Sequence, residues 1–173
     1  LGQVKQANTV IRMLPGTYRA FTIDGTVPDG IRLIADPLGP VSVQTGEAPV
    51  RIVGRGADLS TELVGLEIEA GPLAQPLVIV EDCAGPVLFC DLLVAGVPGT
   101  PGVHLSNATA VSMHRSIANG EPGVGAFDGS QAAITTSTVS ELEIGAGAAV
   151  TTAEVSAGAT VNGGTLTELA GPM

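Results

Sequence analysis

A phrase of about ten residues recurs along the chain and carries residues capable of chemistry at its centre. Residues 87–96 are echoed by residues 111–120 and then, with drift, by segments that begin at Ile134 and Val150. Four dipeptides correspond at the centre of the phrase: Cys90-Asp91, His114-Arg115, Ser137-Thr138 and Ala153-Glu154. If the copies lie side by side, His114 stands between a thiol and a hydroxyl, as the base of a nucleophilic enzyme would.

The same alignment gives these residues a structural interpretation. Asp91 and Arg115 would form an ion pair between neighbouring copies, and no carboxylate is placed to orient the His114 imidazole toward Cys90 or Ser137. A polar stack that satisfies a bend in the backbone accounts for the same residues without catalysis. We favour the stack and keep His114 and Arg115 as candidate catalytic residues.

Acidic and amide side chains recur at a second place, the first turn of each repeat. The aligned residues are Asp36, Arg55, Asp82, Asn107 and Gly129, with Glu81 and Asp128 beside them. The paired carboxylates of glycoside hydrolysis could be Asp82 with Asp128, two rungs or roughly 10 Å apart, or Glu81 with Asp128. Glu81, Asp82 and Asp128 are candidate ligands for calcium, which takes six to eight oxygens. With Arg55 between Asp36 and Asp82, a solvated ladder is the simpler interpretation, and we expect no metal or cofactor.

Binding of a sugar is a further possibility for the polar rows. Carbohydrate sites commonly place an aromatic face against the apolar C–H groups of the sugar, and the chain has one Tyr, three Phe and no Trp. In our alignment Phe89 and Phe127 fall on core-facing positions, and Tyr18 belongs to a structural phrase in the first repeat. His104 and Asn107 remain as candidate binding residues.

The elements that position these residues are predicted to be short strands. Repetition at about two dozen residues is typical of a solenoid, in which no unit buries its apolar face alone. Val, Ile and Thr dominate the apolar runs, Gly and Pro punctuate them, and no stretch keeps helical spacing. We predict an all-β, right-handed parallel β-helix of about seven to eight coils over 1–173, with a short capping helix at 1–7. The longer turns at 96–102 and 120–125 should protrude from one side.

Composition restricts the partners and the compartment. The chain has 173 residues, 45% of them hydrophobic, and 17 acidic against seven basic residues give a net charge of −10. Without a basic stripe, nucleic acid and anionic membranes are poor partners, and no apolar run reaches the length of a membrane span. Cys83 and Cys90 are expected to be free thiols, with a disulfide as the alternative.

The first repeat carries a resemblance to a known family. Residues 8–23 read as an apolar strand, then Pro15-Gly16-Thr17-Tyr18, then a second short strand. This resembles the opening coil of right-handed parallel β-helix proteins of the pectin-lyase-like superfamily. The resemblance implies the fold over nearly the whole chain. Enzymes of that superfamily use clustered aspartates, or an Arg or Lys base with calcium, and neither constellation is complete here.

We therefore expect a non-catalytic structural or adhesive β-helix module of an exported or cell-surface protein, in a bacterium. Its partner would be a glycan or another protein, or a second copy that associates end to end or laterally. The alternative is a polysaccharide lyase or glycoside hydrolase that acts on an acidic polysaccharide in a groove near Asp82, His104, Arg115 and Asp128. We also expect the chain to be a fragment or a processed part of a larger protein.

Overall fold

The computed structural model describes residues 6–72, 74–152 and 159–168. These residues form 21 short strands, β1 to β21 in chain order, arranged as a parallel β-solenoid with three sheets. Within the described residues, the strands of successive coils pair in parallel, so each sheet runs along the solenoid axis. The all-β parallel solenoid predicted from the repeats is confirmed.

Sheet A has eight strands: β1 (Val10–Met13), β4 (Ile31–Ala35), β7 (Thr61–Val64), β10 (Val87–Cys90), β13 (Val111–His114), β16 (Gln131–Thr135), β19 (Ala149–Thr152) and β21 (Thr165–Glu168). Sheet B has six strands: β2 (Gly16–Arg19), β5 (Val41–Gln44), β8 (Glu67–Glu69), β11 (Leu93–Ala95), β14 (Ile117–Asn119) and β17 (Thr138–Val139). Sheet C has seven strands: β3 (Thr22–Ile23), β6 (Val50–Val53), β9 (Val78–Cys83), β12 (Val103–Ala108), β15 (Val124–Phe127), β18 (Leu142–Ile144) and β20 (Ala159–Val161).

Two details of the predicted architecture change. Within the described residues, six coils contribute a strand to all three sheets, fewer than the seven to eight coils expected. Each such coil has three strands, and in the first of them β2 begins at Gly16, where we expected only a turn. The predicted capping helix falls largely on residues 1–5, outside the described residues, and Gln6 and Ala7 lie in a bend.

The core consists of columns of apolar side chains that run along the inside of each sheet. Leu63, Phe89 and Met113 occupy one such column, on directly paired positions of three successive strands, and all are buried. Alternate residues of each strand point outward, as the twofold period of a strand requires. Each fully buried apolar side chain contributes about 1.5–3 kcal/mol, so the stacked columns hold the coils in register.

Each coil turns at three corners. The AB corner, between sheets A and B, takes only two residues in four successive coils, and its first residue adopts a positive φ: Gly65, Asp91, Arg115 and Thr136. The CA corner, between sheets C and A, has Asp82, Asn107 and Asp128 at positive φ. The BC corner holds the long turns at 96–102 and 120–123, which therefore project on the same side, as predicted.

Replacement of Thr136 by glycine should stabilise the fold by about 1 kcal/mol. Thr136 has a φ of 51°, a conformation that a side chain branched at Cβ adopts only with strain and that glycine adopts freely. Urea unfolding of Thr136→Gly would measure the gain. Thr138→Gly is the matched control because Thr138 lies in β17, where glycine should instead destabilise. Equal effects of the two substitutions would contradict the expected relief of strain.

Candidate functional site

The AB corner holds the ion pair that the repeated phrase predicted. β10 ends at Cys90 and β13 at His114, which are directly paired, so the next residues, Asp91 and Arg115, are neighbours. Arg115 donates from Nε and Nη2 to the two carboxylate oxygens of Asp91, at 2.8 and 2.7 Å. These hydrogen bonds, aided by the positive charge, lower the pKa of Asp91. Arg115 is therefore occupied by a carboxylate of its own chain.

Ser137 does not stand beside His114, contrary to the predicted register. The residue paired with His114 is Thr135, whose Oγ1 lies 3.0 Å from His114 Nδ1. Ser137 is buried two residues further on, where its Oγ accepts from the Ser116 amide at 3.0 Å and donates to the Thr135 carbonyl at 2.8 Å. A slip of two residues preserves the inward and outward alternation, so the hydrophobic pattern could not distinguish the two registers.

Both cysteines are free thiols. Cys83 is buried, and Cys90 is partly exposed beside Asp91 and Arg115. Burial raises the pKa of each thiol, and for Cys90 the negative charge of Asp91 raises it further. A nucleophilic cysteine needs the opposite shift, toward the thiolate, so the AB corner has the character of a structural stack.

At the CA corner, Asp82, Asn107 and Asp128 occupy consecutive rungs. Each has a φ close to 50°, and Asp and Asn tolerate this left-handed conformation better than most residues. The Asn107 amide donates to Asp82 Oδ1 at 2.8 Å, and Ser106 Oγ donates to Asp128 Oδ2 at 2.9 Å. The corner is thus a ladder of side-chain hydrogen bonds on the surface.

Asp36 and Arg55 do not belong to this ladder, which corrects the predicted alignment. Asp36 follows β4 at the AB corner, and its carboxylate lies 3.8 Å from Arg12. Arg55 points into the solenoid and is completely buried. Gly129 is displaced by one residue, because it is Asp128 that lies level with Asn107. Spacing alone does not distinguish the AB corner, where Asp36 lies, from the CA corner. Arg55 is at the CA corner but one residue too far along, because Val53 pairs with Glu81 and Gly54 is therefore level with Asp82.

The buried guanidinium of Arg55 is held by backbone carbonyl groups. Its Nη1 donates to the carbonyls of Asp24 and Val27 at 2.8 and 2.6 Å, and its Nη2 donates to those of Pro28 and Ser60 at 3.1 and 3.3 Å. Burial lowers the pKa of Arg55. Arg55 therefore fastens the loop between β3 and β4 to the next coil, and it does not stand between surface carboxylates.

The remaining acidic candidate, Glu81, points outward from β9 and accepts a hydrogen bond from Arg51 Nη2 at 2.8 Å. In the part of the chain that the structure describes, no group of three or more His, Cys, Asp or Glu side chains is arranged to hold a metal ion.

The candidate catalytic residues are divided between two corners. Asp82 and Asp128 lie at the CA corner, whereas Arg115 and His114 lie at the AB corner. The four-residue strands of sheet A separate the two corners, a span of about 13 Å at 3.3 Å per residue. His104 lies in β12, three residues before Asn107, a span of about 10 Å at 3.3 Å per residue.

An aromatic surface on the outer face of sheet C was missed in the sequence. Phe127, predicted to face the core, points outward, because the core position opposite Leu105 is taken by Ala126. Its ring stacks on His104 with centroids 5.1 Å apart and an interplanar angle of 26°. A Cβ added at Gly125 or Gly145 would approach the ring to 2.7 or 2.5 Å, so both glycines leave the space that the ring occupies.

We call His104, Phe127, Gly125 and Gly145 the aromatic surface. The sequence does contain a pattern that indicates this surface: Gly125 lies two residues before Phe127, and Gly145 lies level with Phe127 on the next coil. Glu143 lies on the rung next to Gly125, and Asn107 and Asp128 lie at the adjacent corner. An aromatic face is therefore bordered by hydrogen-bonding groups.

Comparison with protein-family models, with curated proteins and with solved structures gives no match to this chain. None of the described residues forms a helix long and apolar enough to cross a membrane.

Proposed function

We propose that the chain is a non-catalytic adhesive and structural module of an exported or cell-surface bacterial protein, which binds a glycan on the outer face of sheet C. The observation that carries the proposal is the stacking of Phe127 on His104 over two glycines. The early Pro15-Gly16 phrase and the parallel coils support a relationship to the pectin-lyase-like superfamily as part of the same proposal.

The chemistry of the aromatic surface suits a sugar ring. The Phe127 ring lies over Gly125 and Gly145 and is partly exposed, so it can pack against the C–H face of a pyranose. Glu143 and Asp128 offer carboxylate oxygens to sugar hydroxyl groups, and Asn107 offers an amide. Because the sheet repeats about every 4.8 Å, the ligand would contact several coils at once.

Pairing of the candidate catalytic residues supports binding without turnover. Arg115 is engaged by Asp91, Asp82 by Asn107, and Asp128 by Ser106. Asp82 and Asp128 lie on alternate rungs, roughly 10 Å apart. This is slightly more than the distance of about 6.5–9.5 Å between the two carboxyl groups of an inverting glycoside hydrolase. A lyase or hydrolase acting on an acidic polysaccharide is the alternative, and the experiment below includes it.

Binding would be measured by affinity electrophoresis and calorimetry with a panel of neutral and acidic polysaccharides. Phe127→Ala should weaken binding about tenfold, the upper end of the energy of one aromatic contact. The matched control is Ile117→Ala, which removes a partly exposed apolar side chain from sheet B and should bind as the parent does. Unchanged affinity of Phe127→Ala, or no binding to any member of the panel, would overturn the assignment of the surface.

The same panel distinguishes the enzyme. Release of reducing ends or unsaturated products, measured with and without calcium, should not occur. Product release that is lost in Asp128→Ala would establish the alternative and contradict a non-catalytic module.

A further inference from the structure

The chain contains two Asn-Gly dipeptides, Asn119-Gly120 and Asn162-Gly163, whose chemistry the proposed function does not use. In such a pair the backbone nitrogen of the glycine can attack the side-chain amide carbon of the asparagine, because glycine has no Cβ to hinder the approach. Asparagine counts among the thermolabile residues of proteins. The attack requires a peptide group that is free to rotate, so the folded structure determines which pair reacts.

The peptide group of the first pair is fixed on both sides. β14 ends at Asn119, whose carbonyl accepts from the Gly96 amide at 3.2 Å, and the Gly120 N–H donates to Ser140 Oγ at 3.1 Å. Ser140 Oγ in turn donates to the Gly120 carbonyl at 2.8 Å. A Cβ added at Gly120 would lie only 2.5 Å from the Gly102 nitrogen. The attacking nitrogen is therefore engaged and closely packed.

The second pair lies at the corner between β20 and β21 and is held much less firmly. Asn162 and Gly163 are both exposed. Within the described residues, neither the Asn162 side chain nor the Gly163 N–H has a hydrogen-bond partner, and the Gly163 carbonyl accepts only a long bond of 3.4 Å from Gly147. A Cβ added at Gly163 would approach Ala146 no closer than 3.7 Å. The Gly163 nitrogen is thus free to approach the Asn162 side chain.

We propose that Asn162 is a site of spontaneous covalent modification in the folded protein, whereas Asn119 is protected. The Gly163 nitrogen forms a bond to Asn162 Cγ, its proton passes to Nδ2, and the bond from Cγ to Nδ2 breaks. Ammonia departs, and a five-membered succinimide ring remains. Water then adds to one of the two ring carbonyls and opens the ring to aspartate or isoaspartate at position 162. No oxidant or reductant is consumed, and the chain gains one negative charge.

The new carboxylate would lie at the border of the aromatic surface. Phe127, Gly145 and Asn162 follow directly the residues that pair between β15, β18 and β20, so they occupy level positions on three successive strands of sheet C. Asn162 is therefore two rungs, or about 10 Å, from Phe127. An effect of the added charge on glycan binding rests on the proposed function, whereas the modification itself does not.

Ageing of the folded 173-residue chain in warm, weakly alkaline buffer tests the proposal. Peptide mapping by mass spectrometry should find the replacement of amide by acid at Asn162, and enzymatic carboxyl methylation should detect isoaspartate there. Asn119 should react at least about tenfold more slowly, because a local opening must first release its peptide group. In concentrated urea, where neither pair is protected, the two sites should react at comparable rates.

Ser140→Ala tests the protection of Asn119 directly. The variant removes the acceptor of the Gly120 N–H, so the reaction at Asn119 should become about tenfold faster, the upper end of the net energy of one hydrogen bond. Ser106→Ala is the matched control, because it removes the hydroxyl that bonds Asp128 and should change neither rate. Circular dichroism would verify that both variants are folded. The proposal would be overturned by an unmodified Asn162 in a folded chain aged until the urea sample has reacted, by equal rates at the two sites in the folded parent, or by no acceleration at Asn119 in Ser140→Ala.

Discussion

Replacement of Arg55 by methionine is expected to lower the free energy of unfolding by about 3–5 kcal/mol. Methionine fills a similar space but donates no hydrogen bond, so the carbonyls of Asp24, Val27, Pro28 and Ser60 lose their shared donor in the interior. The Asp24 carbonyl keeps a second donor, the Val27 amide at 3.1 Å, so the loss falls on the carbonyls of Val27, Pro28 and Ser60. An unsatisfied buried polar group costs about 1–3 kcal/mol, and three of them account for the expected effect. Urea unfolding followed by circular dichroism would measure the loss.

Arg51→Met provides the matched control. Arg51 lies four residues earlier and pairs with Glu81, but both side chains are about two-fifths exposed. Surface ion pairs of this kind contribute less than about 1 kcal/mol, so this variant should unfold close to the parent. A loss in Arg55→Met no larger than that in Arg51→Met would contradict the role of Arg55 as the fastener of the first loop.

Truncation of Phe89 to alanine is expected to cost about 3–5 kcal/mol. Phe89 is buried at the centre of sheet A, between Leu63 and Met113 on the neighbouring strands. Its removal eliminates the contacts with both neighbouring coils and leaves a cavity in the column of core side chains. The neighbouring strands cannot move in to fill this cavity without losing their register. The measurement is urea unfolding, with tyrosine fluorescence of Tyr18 as a second probe in the first coil.

Phe127→Ala removes the same chemical group from the surface and should cost less than about 1.5 kcal/mol. The ring lies outside sheet C on two glycines and His104, so no interior cavity forms. The contrast between the two phenylalanines separates stability from binding, because the surface variant remains folded for the glycan assay. Equal destabilisation of the two variants would show that Phe127 belongs to the core after all.

Much of the fold could be predicted because its determinants are local and repeated. The alternation in segments such as residues 87–90 defines which side chains face inward, and the recurrence of the phrase at residue 111 aligns one coil with the next. This is enough to predict the parallel solenoid and the Asp91–Arg115 pair. It also predicts that the long turns project on one side.

The errors occur where the repeat changes length. Between β13 and β16 the number of residues per coil falls. In the observed register Ile134 lies opposite Met113. A register with Ile134 opposite Val111 would place the same side chains inward, so the alternation does not distinguish the two. At β15 a slip of one residue reverses the face, which moves Phe127 from the predicted core to the surface. The aromatic surface was therefore missed although His104 was a candidate binding residue, because Phe127 had been assigned to the interior.

Arg55 illustrates a second limit. A charged side chain is expected at the surface, and its spacing from Asp36 and Asp82 suggested a surface ladder. The loop at 24–30 supplies three of the four carbonyl groups that make burial favourable, and Ser60 supplies the fourth. Contacts of this kind depend on the path of a long loop, which periodicity does not describe.

The contrast between the AB and BC corners has a consequence for engineering. From β7 to β17 the AB corner always has two residues, and the first of them has a left-handed backbone conformation, so this corner determines the register of the strands. The BC turns vary in length from two to eight residues, and the strands on either side keep their pairing. The BC corner is therefore a natural grafting site. A foreign peptide placed in the turn at 96–102 would be displayed at a defined position along a rigid rod, and peptides in successive turns would be spaced by multiples of about 4.8 Å.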